Sequence, residues 1–342
     1  MQIKIKNISK YLIFAVLSCS FIIAMNSGIP DISNLSSAID ADDSNSASAI
    51  ENIANVETIA NNAEQANGAN PPVAPTVAKR DSIWYQMGKE FQLDHNAQSE
   101  AVRREIRRLV SDQTELYRVL NAAAPYMYFI HNQTKARGLP AELGLIPFIE
   151  SEFNPNDHSN KGATGIWQLM AGTADELGVK VTPGYDGRRN IPASTKAALA
   201  YFKDLGNNFD GNWYLAIAAY NCGQGKVESA VRRTGSHNFW NLPLPTETKY
   251  YVPRLLAIAE IVKHPEKYGV KLPPLQNKPY FAEVKVDNKP ALTKVAKKSG
   301  IDIKVLKKLN PDYNNGYVPK KEGTYTLLVP VNKASTVTTT KV

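Results

Sequence analysis

The chain has 342 residues, 43% of them hydrophobic, which suffices for one sizeable core plus a smaller module. Its formal charge of +8 is uneven: residues 281–342 carry twelve Lys against five acids, whereas residues 28–78 carry seven acids and no Lys or Arg. Two cysteines, Cys19 and Cys222, exclude a disulfide framework. The basic end alone does not choose between nucleic acid, an anionic membrane and an acidic wall polymer.

Lys4, Lys6 and Lys10 precede the apolar run Tyr11 to Met25, after which the chain turns polar. This is the layout of a secretory signal over residues 1–27. The run is shorter than the roughly 20 residues of a membrane-spanning helix. An uncleaved anchor stays open as an alternative. So does lipid attachment at Cys19, because Val16-Leu17-Ser18-Cys19 loosely resembles the lipoprotein box. No second long apolar run follows, and the rest reads as soluble. Residues 28–80 are rich in Asn, Ala, Ser, Asp and Pro without apolar periodicity, and are expected to be a disordered linker.

Residues 81–275 read as a mainly α domain. Ile106 and Leu109 alternate with Arg pairs, and Leu116, Val119, Leu120 and Ala123 form a stripe at helical spacing. Pro125 should kink or split that helix. Gly138 ends a helix and Pro140 starts the next, PAELGLIPFIES, which closes near Glu150. Thr173 is expected to cap a helix, Pro192 to open one, and Gly223 to cap the apolar helix Trp213–Tyr220. Glu247 to Val262 is the last long helix. Residues 280–331 change character: FAEVKV and TYTLLVP read as strands around two short helices, the second capped by Asp302, a small βααβ module.

The chemistry is expected around residues 149–173. Glu150 follows Leu143, Leu145, Ile146, Phe148 and Ile149, and a carboxyl at the end of such a run is partly desolvated. Desolvation disfavours the ionised form, so it raises the pKa as a general acid requires. Taken alone, Glu150 reads more readily as a residue that caps or pairs at a helix end. Ser159 lies in a polar loop, Gly162 and Gly165 permit a tight path, and Trp167-Gln168 puts an aromatic face beside an amide, the pairing that sugars use. Tyr220 and Asn221 end a helix before a Gly-rich turn that lacks the spacing of a phosphate loop. Glu247, Tyr250 and Tyr251 follow. Each aromatic reads equally well as core.

The segments ESEFNP, Ser159, GATGIWQLM, AAYNCGQGKV and ETKYYVP resemble, in order and spacing, the soluble lytic transglycosylase (SLT) domain family, lysozyme-like enzymes acting on murein. LPAELGLIPFIES, YDGRRNIPAST and FWNLPLPTETKYYVPRLLA are similar to its membrane-bound D subgroup, which carries LysM modules at the C-terminus. The resemblance implies a lysozyme-like helical catalytic domain followed by a LysM-like module. It implies Glu150 as the catalytic acid and base, with Ser159, Gln168, Tyr220, Asn221, Glu247 and Tyr250 lining a glycan groove. Peptidoglycan glycan strands are the implied partner, without nucleic acid, cofactor or metal. The implied place is the periplasm, free or attached to the membrane through the N-terminus.

The resemblance also implies the reaction. Glu150 protonates the oxygen between N-acetylmuramic acid and N-acetylglucosamine, then takes the muramoyl C6 hydroxyl proton as a 1,6-anhydro ring closes. A goose-type lysozyme-like hydrolase and a non-catalytic wall-binding protein are the alternatives. Cys222 stands where the family usually has a small residue, and it is expected to be buried and inert. The module has Asn288-Lys289-Pro290-Ala291-Leu292 where LysM modules usually carry Gly-Asp-Thr-Leu, which puts its own glycan affinity in doubt.

Overall fold

A computed structural model describes residues 79–286, 291–313 and 325–339. The expected signal, nearly all of the expected linker and part of the first LysM-like loop lie outside them. Among the described residues no helix is long and apolar enough to cross a membrane.

Residues 79–278 are mainly helical, and side-chain caps set many of the helix starts. Helix α1 (Ile83–Lys89) is followed by α2 (Glu100–Ser111), where Ser99 Oγ accepts from Val102 N at 3.3 Å. Asp112 caps α3 (Gln113–Ala122) through Glu115 N at 2.9 Å. The chain then turns through residues 123–126 before α4 (Met127–Lys135), so Pro125 falls at a split between two helices. The expected single helix from Pro140 divides as well. Ala141–Leu145 is a 3-10 turn, and α5 (Ile146–Glu150) starts with Pro147 in its first turn, where a missing N–H costs nothing. The expected cap at Thr173 is corrected: extended backbone stops at Met170, so Thr173 is the third residue of α6 (Ala171–Glu176). A two-residue hairpin follows, β1 (Val181–Thr182) with β2 (Tyr185–Asp186).

Three long helices make the centre. Asn190 caps α7 (Ile191–Asn208) through Ala193 N at 2.9 Å, with Pro192 in the first turn. Helix α8 (Trp213–Cys222) is apolar on every side because Leu215 to Tyr220 are all buried. Gly223, at φ +91°, separates it from α9 (Gln224–Thr234). Helix α10 (Thr246–Lys263) buries Thr248, Tyr251, Val252 and Leu255, a stripe at i, i+3, i+4 and i+7. These helices share one core with Trp84, Met87, Tyr126, Trp167 and Phe202.

The C-terminal residues form a βααβ unit. Strand β3 (Phe281–Val286) pairs antiparallel with β4 (Tyr325–Pro330), from Phe281↔Pro330 to Val286↔Tyr325. One face, Val284, Val286, Leu327 and Val329, packs on Leu292 and Val295 of α11 (Leu292–Ser299) and Leu306 of α12 (Ile303–Leu309). Asp302 caps α12 through Lys304 N at 2.7 Å. Helix α13 (Ala334–Thr339) adds Val337 to the same core. Because strand side chains alternate, Phe281 and Leu328 point the other way and join the main core, with Phe281 5.5 Å from Phe129 between ring centroids.

A polar junction also ties the unit to the helical part. Asp186 N donates to Asp312 O at 3.1 Å, and Asn190 Nδ2 donates to Asp312 Oδ2 at 2.8 Å. The rings of Tyr185 and Tyr313 lie 5.7 Å apart. Asp312 is fully buried, its Oδ1 is unpartnered, and burial pushes its pKa up to about 6. From the same hairpin, Arg188 holds Asp186 with Nε and a terminal nitrogen at 2.9 and 2.8 Å. Its other terminal nitrogen donates to Gly162 O at 2.7 Å and Leu169 O at 3.3 Å. The 160s loop is thereby clamped, and Gly165 at φ +84° would put a Cβ 2.1 Å from Arg188 O.

Asp312 has a folded pKa above its usual 3.8, so the parent loses stability as pH rises from about 4 through 6. Asp312→Asn does not share that loss. Urea unfolding should show the variant-minus-parent difference rising by about 3 kcal/mol between pH 4 and pH 8; a difference that stays constant refutes the assignment. Gly165→Ala should cost about 3 kcal/mol or more through backbone collision. Gly162→Ala, at φ +88° with open space around it, should cost only about 1 kcal/mol. Equal melting shifts for the two variants would contradict the clamp.

Candidate active site

Glu150 ends α5, and the chain leaves the helix by a sharp path. Ser151 N and Phe153 N both donate to Pro147 O, at 3.3 and 3.1 Å. Glu152 and Phe153 take φ of +52° and +59°, which L residues adopt only when their surroundings force it. Two anchors supply that force: Phe153 is buried in the core, and Ser151 Oγ donates to Ile166 O at 3.0 Å. Glu152 then points outward to Arg118 and is not a partner of Glu150.

The Glu150 residue remains half-buried, while its carboxyl is closely surrounded by protein. Burial pushes its pKa up to about 8, and repulsion from Glu247 and Asp157 adds to the rise. Opposing them, Tyr251 Oη donates a hydrogen bond to Glu150 Oε1. Burial and the neighbouring carboxyl hold the Tyr251 phenol well above its ordinary value, so it stays a donor. No described residue bonds Oε2. One oxygen is therefore anchored and the other available, on a group that keeps its proton at neutral pH.

The remaining expected residues fall into two sets. Tyr220 is buried against Phe202, with stacked rings 4.3 Å apart, and its hydroxyl donates to Trp167 O at 2.7 Å. Glu150 lies near enough to help raise the Tyr220 pKa, although burial is the larger cause. Asn221 Nδ2 donates to Glu247 Oε1 at 3.5 Å and its Oδ1 accepts from Thr248 Oγ1 at 2.7 Å. Glu247 is itself raised by burial, and its Oε2 is unpartnered. These groups gather around the Glu150 carboxyl from α5, α8 and α10.

Ser159 and Gln168 serve the loop. Ser159 Oγ accepts from Ala163 N at 3.0 Å and Lys161 N at 3.4 Å. Gln168, at φ +46°, donates Nε2 to Gly165 O at 2.9 Å and leaves its buried Oε1 unpartnered. Trp167 departs from expectation. It is fully buried, and its indole N–H donates to Thr195 Oγ1 at 3.0 Å, so it offers no face to a sugar. Tyr250 is not brought to the carboxyl either. It turns outward, with the Arg104 guanidinium 4.6 Å from its ring centroid.

Tyr251, not among the expected groove residues, is the side chain that bonds Glu150. The signal that finds it is the buried stripe Thr248, Tyr251, Val252 and Leu255 on α10. Cys222 is buried, and burial pushes its thiol up, so little reactive thiolate forms. Among the described residues no group of three or more His, Cys, Asp or Glu side chains is placed to hold a metal ion.

Comparison with known proteins adds two family matches. Residues 127–243 match the transglycosylase SLT domain, and residues 280–341 match the LysM-like domain of lytic transglycosylase MltD. The chain is 38% identical over 239 residues to membrane-bound lytic murein transglycosylase D of Escherichia coli (strain K12), covering 69% of this chain. It spans about half of that relative, 53% of its length. It is 36% identical over 168 residues to a proposed tributyltin chloride resistance protein of Alteromonas sp. (strain M-1), covering 48% of this chain and 80% of that protein. The 70-kDa soluble lytic transglycosylase of Escherichia coli matches at 23% identity and a TM-score of 0.38, covering 56% of this chain and 33% of that one. On the family and relative matches the chain belongs to the transglycosylase SLT domain family and carries an MltD-type LysM-like domain over residues 280–341.

Proposed function

We propose that this chain is a peptidoglycan lytic transglycosylase that cleaves the β-1,4 bond from N-acetylmuramic acid to N-acetylglucosamine and leaves a 1,6-anhydro end. The observation that carries the proposal is the Glu150 carboxyl, held on one oxygen by Tyr251 and raised by burial to about 8. The identity to a named murein transglycosylase supports the substrate class.

Most glycosidases need two carboxylates flanking the bond. Here Glu152 is drawn off by Arg118, and a single carboxyl suffices if the substrate supplies its own nucleophile. Protonated Glu150 gives its proton to the bridging oxygen as that bond breaks. The 2-acetamido group stabilises the developing cation. The resulting Glu150 carboxylate, steadied by the Tyr251 hydroxyl, removes the proton of the muramoyl C6 hydroxyl. That oxygen then closes on C1, and no water is consumed. Gln168, Asn221 and Glu247 line the groove for the glycan. Ser159 and Tyr220 fix the loop and floor, and Tyr250 flanks the groove. Export to the periplasm and attachment through the N-terminus complete the proposal.

Glu150→Gln should fold and lose cleavage of murein sacculi by about 10²–10⁴-fold or more. Mass spectrometry of parent products should show disaccharide-peptides one water lighter than reducing-end products. Wild-type rates from the variant sink the acid assignment, and products with the water retained favour the hydrolase. Because Glu150 must be protonated to start the reaction, kcat/KM should fall about tenfold per pH unit above about 8. The Tyr251 hydrogen bond lowers the Glu150 pKa, so Tyr251→Phe should move this alkaline limb to higher pH while reducing kcat. A limb that stays in place or moves to lower pH argues against the pairing.

A further inference from the structure

Beyond the Asn221–Glu247 contact, the surface holds a hollow of about 440 Å³ that no step of the proposed reaction uses. One wall is α9, from which Lys226, Ser229 and Arg233 project at i, i+3 and i+7, on one face of the helix. The other wall is the Pro243–Pro245 segment that leads into α10. Pro245 is the residue from which α10 starts, so the hollow lies about 9 Å along the helix axis from Tyr251. Glu247 stands between them and feels the charge of Lys226.

The two cations of this hollow lack the close carboxylate partners that several nearby arginines have. Arg232, their neighbour on α9, pairs with Glu228 at 3.7 Å, and Arg103, Arg107, Arg108 and Arg118 all have carboxylate partners. Lys226 and Arg233 are exposed, and among the described residues neither side chain has an ion pair or a hydrogen bond. Two exposed cations with no bonded partner, one hydroxyl and a stiff apolar wall are therefore presented together. An ammonium and a guanidinium select carboxylates, the guanidinium with two parallel hydrogen bonds, and proline rings give methyl side chains a surface without further ordering.

From this geometry we infer that the hollow between α9 and Pro243–Pro245 binds the acidic peptide stem that hangs from the muramoyl sugar, with Lys226 and Arg233 taking its free carboxylates. The inference rests on the proposed murein reaction and adds a specificity site to it. A glycan chain without peptide has no carboxylates for these cations. The hollow thus favours strands whose stems are still attached.

The test compares the full-length parent, Lys226→Gln, Arg233→Gln and the double variant on two substrates: intact sacculi, and sacculi stripped of their peptides by an amidase. Exposed ion pairs are individually weak, so the double variant should raise KM on intact sacculi about three- to tenfold with kcat unchanged. Arg233→Gln should match the parent on stripped strands, the double variant should lose less there than on intact sacculi, and the loss on intact sacculi should shrink at high salt. Arg233→Gln is the cleaner single variant, since Lys226 also acts on Glu247. Equal losses on both substrates, or no loss on either, overturn the inference. Cosedimentation in the Glu150→Gln background supplies a readout that needs no catalysis. There the double variant should weaken binding to intact sacculi more than to stripped strands. If the parent cleaves neither substrate the lytic reaction fails, and the cosedimentation result still decides the peptide site.

Discussion

The hydrogen bond from Tyr251 to Glu150 joins two helices about a hundred residues apart in the chain. Everything around the site serves to place these two side chains. The proposed acid role of Glu150 asks for a carboxyl crowded enough to keep its proton, with one oxygen left available. Burial alone would raise the pKa without orienting the group, and solvent would orient nothing. A phenol, itself held far above its ordinary pKa, is a neutral donor that steadies either protonation state. Because the raised pKa is a cost to the folded state at neutral pH, it has to be offset elsewhere, and the buried apolar residues of α8 and the buried stripe of α10 do this.

The backbone around the site is held away from its preferred conformations. Glu152, Phe153 and Gln168 all adopt positive φ without being glycine. Each lies on the loop that leaves α5 or returns beside it, and named contacts hold them: Arg118 on Glu152, the Pro147 O bond and core packing of Phe153, and Gly165 O for Gln168. Strain of this kind persists only where the surroundings over-determine it. Arg188 is central to that restraint. Its guanidinium spends its donors on Asp186 and on two carbonyls of the loop, so the loop behaves as part of the scaffold.

The same arginine connects the loop to the C-terminal unit. Asp186 N and Asn190 Nδ2 both bond Asp312, and Phe281 and Leu328 enter the main core. A LysM-like unit is easily pictured as a tethered accessory. In this chain it shares side chains with the helical core and a buried carboxylate with the hairpin behind the loop. The unpartnered Asp312 oxygen makes that junction sensitive to pH, in the sense opposite to an ordinary ion-paired aspartate.

Much of this was legible in the residues. The helical stripes, the breaks at Pro125 and Gly223, the Asp302 cap and the βααβ order follow from local periodicity and from glycine and proline chemistry, which need no distant partner. The apolar approach to Glu150 likewise announced a carboxyl with a raised pKa. What local pattern could not decide was which neighbour faces which. Trp167 reads as a sugar platform and is buried against Thr195. Tyr250 and Tyr251 differ by one step, about 100° around a helix, and only the packing of α10 against α5 shows that the second meets Glu150. Most helices and the apolar approach to Glu150 can be read along the chain, because propensity, capping and hydrophobic period are local. The partners of that carboxyl and of Asp312 emerge only from packing, because a hydrogen bond between segments a hundred residues apart depends on helix rotation and crossing that no short window encodes.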